Sequence, residues 1–545
     1  MSGARNARKP PRSKKPSVKR EWSPPIPALP RATWVPSAVT QLIAGGVTVI
    51  LAALFIFSNT NGNITVQGDD VWIVTHRFLF GWNYFKFAPG RGYLMPFYSF
   101  LLRMVGESTQ RMHLFFFFLL ASSGMLLYIV LRKLLGAAPA VIGAIFYLAY
   151  IGKYETVTWL AAGAYLVCAN VLFLSVWIAI SDRLNPWAKG AWIAAINWLA
   201  VLLYELLIVA APLYPLIYWL HHRLRRRPMS RRGFAATFLP MLMFLIHVVI
   251  MYLATEEGKA LPWQRGSTRS SMTLAAAIAQ VWPTFKRGLS AGMGSDHFSL
   301  LIHEIGSFWK YVPRDTYEIL MTLGACAGVA FLLWCAPARR VDKSIVLPLT
   351  IAAVYLAVFS PLIGFTTNDG FVPSRLLTLV GVGLALLVAA AVSVALAVRS
   401  PMLRYGIPAT LLVVSGLEAA AMNCILYEYQ TAWGYDSHIL SQLLASGIKP
   451  TMGDTIFISL PENPLERLWR VGFSQFEGGH IEAVLTMDFG MLSRKRQAIE
   501  PALLYQEEIR RRGAPPVKPV GRLGHELFCF SVSESDYQLT RTDCH

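Results

Sequence analysis

Long uncharged stretches alternate with short charged ones along most of the chain. The first, Ala38 to Phe57, is twenty residues without an ionisable side chain, enough for one helix to span about 30 Å of hydrocarbon. Stretches of the same kind follow at 112–131, 137–152, 157–180, 188–220, 234–254, 319–336, 345–365, 376–398 and 405–422. The run 188–220 is too long for one crossing and is interrupted by Glu205, Pro212 and Pro215, which predicts two short helices joined by a tight turn. Tyr93–Val105 is too short to cross and carries Arg103, which predicts an interfacial or re-entrant helix. The pattern therefore describes an α-helical polytopic membrane protein with about eleven transmembrane helices.

Composition agrees: 54% of residues are hydrophobic, 15% are charged, and mean hydropathy is +0.45, against about 25% charged residues in soluble domains. The net charge of +19 would suit a nucleic-acid binder if it were spread over a soluble face. Instead, residues 1–20 hold eight Lys/Arg and residues 221–232 hold six Arg, neither with an acid, so the two hold fourteen of the nineteen excess charges. No nucleic-acid-binding module accompanies them. With the N-terminus inside and the C-terminus outside, both segments lie on the cytoplasmic side, as the positive-inside rule asks. Arg132/Lys133, Arg183/Lys189, Arg339/Arg340/Lys343 and Arg399/Arg404 fall there too.

The domains that follow are a basic, proline-rich cytoplasmic leader (1–35) ahead of a signal-anchor helix, a membrane body (36–422) and an extracytoplasmic tail (423–545). The body carries outer loops 59–111 and 255–317 and a short one at 366–375. In the tail, GDTIFISLP (453–461) and HELFCFSVS (525–533) predict strands and 498–512 a helix, together a small α+β domain. Cys168, Cys326 and Cys335 fall in predicted helices as packing residues. Cys529 and Cys544 lie where a disulfide is chemically permitted. There is no CxxC, no HExxH and no Gly-rich phosphate loop, which leaves no basis for a P-loop ATPase or a soluble metalloprotease.

The densest candidate chemistry is in the first outer loop. Asp69 and Asp70 stand a few residues beyond the first helix, followed by aromatics and by Arg77, Lys86 and Arg91. Two readings fit the pair: a helix N-cap, or carboxylates that act as a general base or hold a divalent cation through oxygen. Glu155 and Glu205 fall at outer helix ends, where an ionisable group at membrane depth marks a functional position. Asp296, His297, His303 and Glu304 put four ligand-type side chains within nine positions, at a spacing that matches no zinc motif. His113 and His247 lie in apolar stretches and read as hydrogen-bonded packing residues.

The order and placement of these residues resemble the GT-C class of membrane glycosyltransferases, in the pattern of the protein mannosyltransferase and aminoarabinose transferase group. Asp69-Asp70-Val71 is similar to the modified DxD motif of that class, and Arg91 to Pro96 is a loose counterpart of its basic-plus-proline segment. Tyr154 to Trp159, Tyr204-Glu205 and Pro373 to Leu377 continue the resemblance over roughly 38–422. There is no RPL triplet and no WWDYG motif, which leaves the acceptor class open. The resemblance implies transfer of a sugar from a polyprenyl-phosphate donor to an envelope glycan, lipid or protein at the outer face of a bacterial inner membrane. It implies Asp70 as base, with Asp69 as its partner or a ligand of a divalent cation, and a role for Glu155. Arg91 and Arg375 would contact phosphate, with Lys310, Arg314 and Lys86 behind them. Tyr154 and Trp159 would stack on the sugar, and Glu205 and Asp369 would line the site. The rival readings are a flippase or transporter of lipid-linked sugar and a non-catalytic polysaccharide assembly or export component. The first usually shows internal repeats, and the chain has none; in the second the tail would be the working part.

Overall fold

The computed structural model describes residues 36–60, 109–159, 162–181, 184–203, 210–226, 228–254, 274–336, 343–365, 377–447, 455–459, 527–533 and 538–543, with a few isolated positions between them. Helix α1 (Ala38–Phe57) starts at an N-cap in which the Ser37 hydroxyl accepts from Thr40 N–H. Its pattern is the reverse of a soluble helix. Gly45, Gly46, Thr48, Ala52 and Ala53 are buried, while Val39, Ile43, Val47, Ile50 and Leu54 point outward in a stripe. In water such a stripe would be a liability; in hydrocarbon it is the lipid face, with small residues turned inward so that backbones approach closely.

Helices α2 (Thr109–Leu135) and α3 (Ala137–Ala149) follow, then a 3-10 turn (Ile151–Lys153) and a one-turn helix α4 (Glu155–Thr158). The stretch 157–180 is thus not continuous: its membrane part is α5 (Ala164–Ile180). The run 188–220 divides as expected into α6 (Pro186–Leu203) and α7 (Leu213–Leu224), followed by α8 (Arg231–Ala236) and α9 (Leu239–Ala254). The segment 255–317, expected as a loop, contains two helices, α10 (Leu274–Met293) and α11 (Ser295–Tyr311), because both are amphipathic and bury one side against the bundle. Helices α12 (Thr316–Trp334), α13 (Val346–Phe365), α14 (Leu377–Ala397) and α15 (Pro401–Ala445) complete the series. Helix α15 runs well past residue 422, where the apolar stretch ends, since packing on α11 continues to favour helix there. By length and composition, α1, α12, α14, residues 110–135 of α2 and residues 401–431 of α15 can each cross a membrane.

Helix α3 is the centre. Every residue from Ala138 to Ala149 is buried, against α1, α2, α14 and α15. Helix α12 lies against α1 through Gly324 and Gly328, where a Cβ at Gly328 would sit 2.0 Å from Thr48 Oγ1. One end of the bundle gathers the basic residues on backbone carbonyls, three of which lie at helix C-termini, where the carbonyls carry partial negative charge. Arg132 donates to Ala38 O, Lys133 Nζ to Ile180 O at 2.6 Å, Arg225 to Lys133 O at 3.2 Å and Arg404 to Ala336 O at 3.1 Å. The opposite end carries Ser58, which donates to Glu318 Oε1 at 2.6 Å, and Asn423, which accepts from Asn59 at 2.9 Å.

In the tail, β1 (Thr455–Ser459) pairs in parallel with β2 (Leu527–Val532), and β2 pairs antiparallel with β3 (Leu539–Thr542). Both predicted strands are present. Leu539 N–H donates to Gln442 Oε1 at 2.7 Å, joining β3 to the end of α15. Residues 498–512 and Cys544 lie outside the described residues. Cys168 is buried as expected, whereas Cys326 is exposed, on a face of α12 that no other helix covers among the described residues.

Candidate functional site

The end of the bundle opposite the basic cluster is organised around the turn from Tyr150 to Trp159. Helix α3 stops at Ala149, and Tyr150 takes an extended-side conformation (φ −51°, ψ 107°) that breaks the helix. Its ring is enclosed by glycines from three elements. A Cβ at Gly152 would come within 2.5 Å of the ring and one at Gly381 within 2.6 Å, while Gly292 O accepts from the Tyr150 hydroxyl at 2.7 Å. Lys153 is buried and folds back onto the carbonyls that end α3, donating to Tyr147 O, Leu148 O and Tyr150 O. This satisfies acceptors that have no partner inside the helix. Burial pulls the Lys153 ammonium down to about 7, against an upward pull from the Glu418 carboxylate.

Glu418 of α15 ties the turn down. One oxygen accepts from Ile151 N–H at 2.9 Å, and the other lies 2.7 Å from His297 Nε2 of α11. The His297 ring stacks on Tyr150 with centroids 5.3 Å apart. Glu418 and His297 are both buried, so α10, α11, α14 and α15 all hold one turn. That turn carries Glu155, itself buried (3% exposed), with half-buried Tyr154 before it and half-buried Trp159 four residues after it. His113 Nε2 lies 3.2 Å from Thr158 O, a packing histidine as expected; His247 is likewise buried.

Of the sequence-predicted site residues, Tyr154, Glu155 and Trp159 come together on this turn. Lys310 and Arg314 lie at the end of α11 and just beyond it, both exposed. Lys310 sits over the Tyr311 ring, and Arg314 over Trp309, whose carbonyl it also reaches at 3.0 Å. Asp69, Asp70, Lys86, Arg91, Glu205, Asp369 and Arg375 lie outside the described residues. The four-residue group at 296–304 does not act as one cluster, because helical spacing sends its members to two sides. Asp296 and His303 are exposed, while His297 meets Glu418 and Glu304 meets Cys424 and Glu428 of α15. Glu418 and Lys153 were not singled out in the sequence, although a lone ionisable residue in or beside an apolar span was the signal that would have found them.

A cleft of about 440 Å³ lies between α1, α2 and α12. Leu54, Phe57, Phe118 and Met321 wall it, and Ser58 and Tyr317 form its polar end, at the root of the loop that begins at residue 59. Leu54 and Phe118 are about half or more exposed, so the cleft lies on the surface that faces lipid.

No family model and no curated protein matches the chain. Among solved structures, it is similar to a crystal structure of ArnT from Cupriavidus metallidurans bound to undecaprenyl phosphate. The identity is 15%, over 92% of this chain and 94% of that one, with a TM-score of 0.37. A TM-score at that level does not by itself establish a shared fold.

Proposed function

We propose that the chain is a membrane glycosyltransferase of GT-C type that moves a sugar from a polyprenyl-phosphate donor to an envelope acceptor at the outer membrane face. The observation that carries this reading is the pinned turn at the end of the bundle away from the basic clusters, with buried Glu155 flanked by Tyr154 and Trp159. A carboxylate and aromatic rings on one short turn suit a sugar, since its hydroxyls hydrogen-bond while its C–H face packs on a ring. The turn is held by buried partners, so the acid is presented without a reorganisation cost at the moment of reaction.

The remaining parts are assigned by chemistry. An isoprenoid chain requires an apolar, lipid-open cleft with a polar end, and the α1/α2/α12 cleft has both. Phosphate is a good leaving group once neutralised, which falls to Arg91 and Arg375, with Lys86, Lys310 and Arg314 as further cations. Asp70 takes the acceptor proton, and Asp69 orients it or shares a divalent cation with it. Glu205 and Asp369 complete the polar lining. The reading is tested by mass spectrometry of envelope glycans from cells with the chain, without it, and with Asp69 and Asp70 both changed to Asn. One glycan decoration is expected to disappear in the second and third. Its persistence in the double variant excludes the catalytic role of the pair.

A further inference from the structure

The elbow between α7 and α9 holds six arginines from Arg223 to Arg232 and no acid. The segments that read as cytoplasmic carry three acids in all, Glu21, Asp182 and Asp342, so that side is short of anions to set against them. A signal that orients a span needs only charge near its end. This elbow is built more tightly than that. A Cβ at Gly190 of α6 would sit 2.2 Å from Ala236 O of α8, and one at Gly233 would sit 2.3 Å from the Tyr218 hydroxyl of α7, so α8 is pressed onto both helices. The Ser230 hydroxyl accepts from Gly233 N–H at 3.2 Å and caps α8. Just past α7, Arg226 takes the left-handed conformation (φ 52°) that L side chains rarely adopt.

The arginines on this scaffold are of two kinds. Arg225 donates to Lys133 O at 3.2 Å, and Arg223 lies over the Trp219 ring. Arg226, Arg231 and Arg232 are exposed, and their guanidinium groups have no hydrogen bond, ion pair or ring partner among the described residues. Arg227 lies outside the described residues. Trp219, Met229 and Phe238, close to the arginines along the chain, are exposed as well. Trp187 is also exposed, and its neighbour Pro186 lies 3.1 Å from where a Cβ at Gly233 would stand.

Exposed cations without a protein partner, set among exposed tryptophan and apolar side chains at one end of a bundle of membrane helices, are complementary to a negatively charged lipid head group. A phosphate oxygen pair takes a guanidinium by two parallel hydrogen bonds, and tryptophan favours the depth of the head groups. The cytoplasmic leaflet carries the negative surface potential that draws such a cluster in. We propose that the elbow formed by the end of α7 and by α8 is a binding surface for anionic phospholipid of the cytoplasmic leaflet, with Arg226, Arg231 and Arg232 on the lipid phosphates. The surface holds this end of the bundle at head-group depth and does not depend on the chemistry proposed for the opposite end.

The test uses the full-length chain in detergent micelles offered equal amounts of phosphatidylglycerol and phosphatidylcholine, with retained lipid counted by native mass spectrometry. Phosphatidylglycerol is expected to be retained about tenfold or more in preference, and the preference to fall about fivefold in Arg231→Gln and about twentyfold in Arg231→Gln/Arg232→Gln. Four of the six arginines remain in the double variant, which keeps the loop positive. Arg399→Gln, an exposed arginine outside the elbow, is expected to keep the wild-type preference. Where the double variant does not fold, Arg226→Gln and Arg231→Gln singly give the same reading. Inorganic phosphate in large excess is expected to displace the lipid no better than sodium chloride at the same ionic strength. Equal retention of the two lipids, a preference unchanged in the elbow variants, the same loss in Arg399→Gln, or specific displacement by inorganic phosphate each overturns the proposal.

Discussion

Replacing Glu418 by Leu removes the carboxylate that holds the Tyr150–Trp159 turn. Ile151 N–H, fully buried, loses its acceptor at 2.9 Å, and His297 loses its partner at 2.7 Å. His297 Nδ1 is buried with no partner among the described residues, so the ring has nothing to fall back on. An orphaned buried N–H costs about 1–3 kcal/mol, and removing one member of a buried ionisable pair about 3–5 kcal/mol. The two overlap, so about 3–5 kcal/mol is expected for Glu418→Leu. Glu418→Gln, which keeps an oxygen for Ile151 N–H, is expected to cost roughly 1–3 kcal/mol. Denaturant titration of the solubilised full chain reads the stability, and hydrogen exchange reads the amides of 151–158, which should open first. With His297→Leu, a double-mutant cycle is expected to give a coupling of about 1–3 kcal/mol. Glu418→Leu within about 0.5 kcal/mol of wild type, the range of ordinary surface substitutions, would show that the contact does not hold the turn.

Three further outcomes follow from the same geometry. Lys153 has a folded pKa near 7, below its ordinary range; between those values the unfolded chain binds the extra proton, so stability rises with pH. The slope difference between wild type and Lys153→Met is expected to reach up to about 1.4 kcal/mol per pH unit in that window, and equal slopes would show that Lys153 is not desolvated. Gly328→Leu forces α12 off Thr48 of α1 and is expected to cost about 1–3 kcal/mol, whereas Gly416→Leu, in open space on α15, should leave the unfolding midpoint unchanged. Glu155→Gln is expected to lower sugar transfer by about tenfold or more through the weaker hydrogen bond to the sugar, with protein level and melting preserved, and unchanged transfer would show that Glu155 does not touch the sugar.

The helical body was legible because spans announce themselves by length: each apolar stretch contains a helix, and the break at Glu205 falls between α6 and α7. The gathering of Arg132, Lys133, Arg225 and Arg404 at one end was legible from charge alone. Helices α10 and α11 were not, because each is hydrophobic on one face only and the buried face of α11 carries His297 and Glu304. The inward path of those two residues is a seven-residue spacing, visible once the segment is known to be helical. Glu418 was passed over as one acid inside an apolar run, and its two distant partners, His297 and Ile151 N–H, explain why it is tolerated there. Tyr154, Glu155 and Trp159 were found because they stand together in sequence, whereas the contacts that hold their turn come from distant parts of the chain.

The most direct measurement reconstitutes the full-length chain in liposomes with a panel of polyprenyl-phosphate-linked radiolabelled sugars and an envelope extract as acceptor. The proposed function predicts that one donor is consumed, with label moved to the acceptor and free polyprenyl phosphate released, and that Asp70→Asn abolishes this. Movement of intact donor across the bilayer without cleavage of the sugar–phosphate bond would contradict it and favour a transporter.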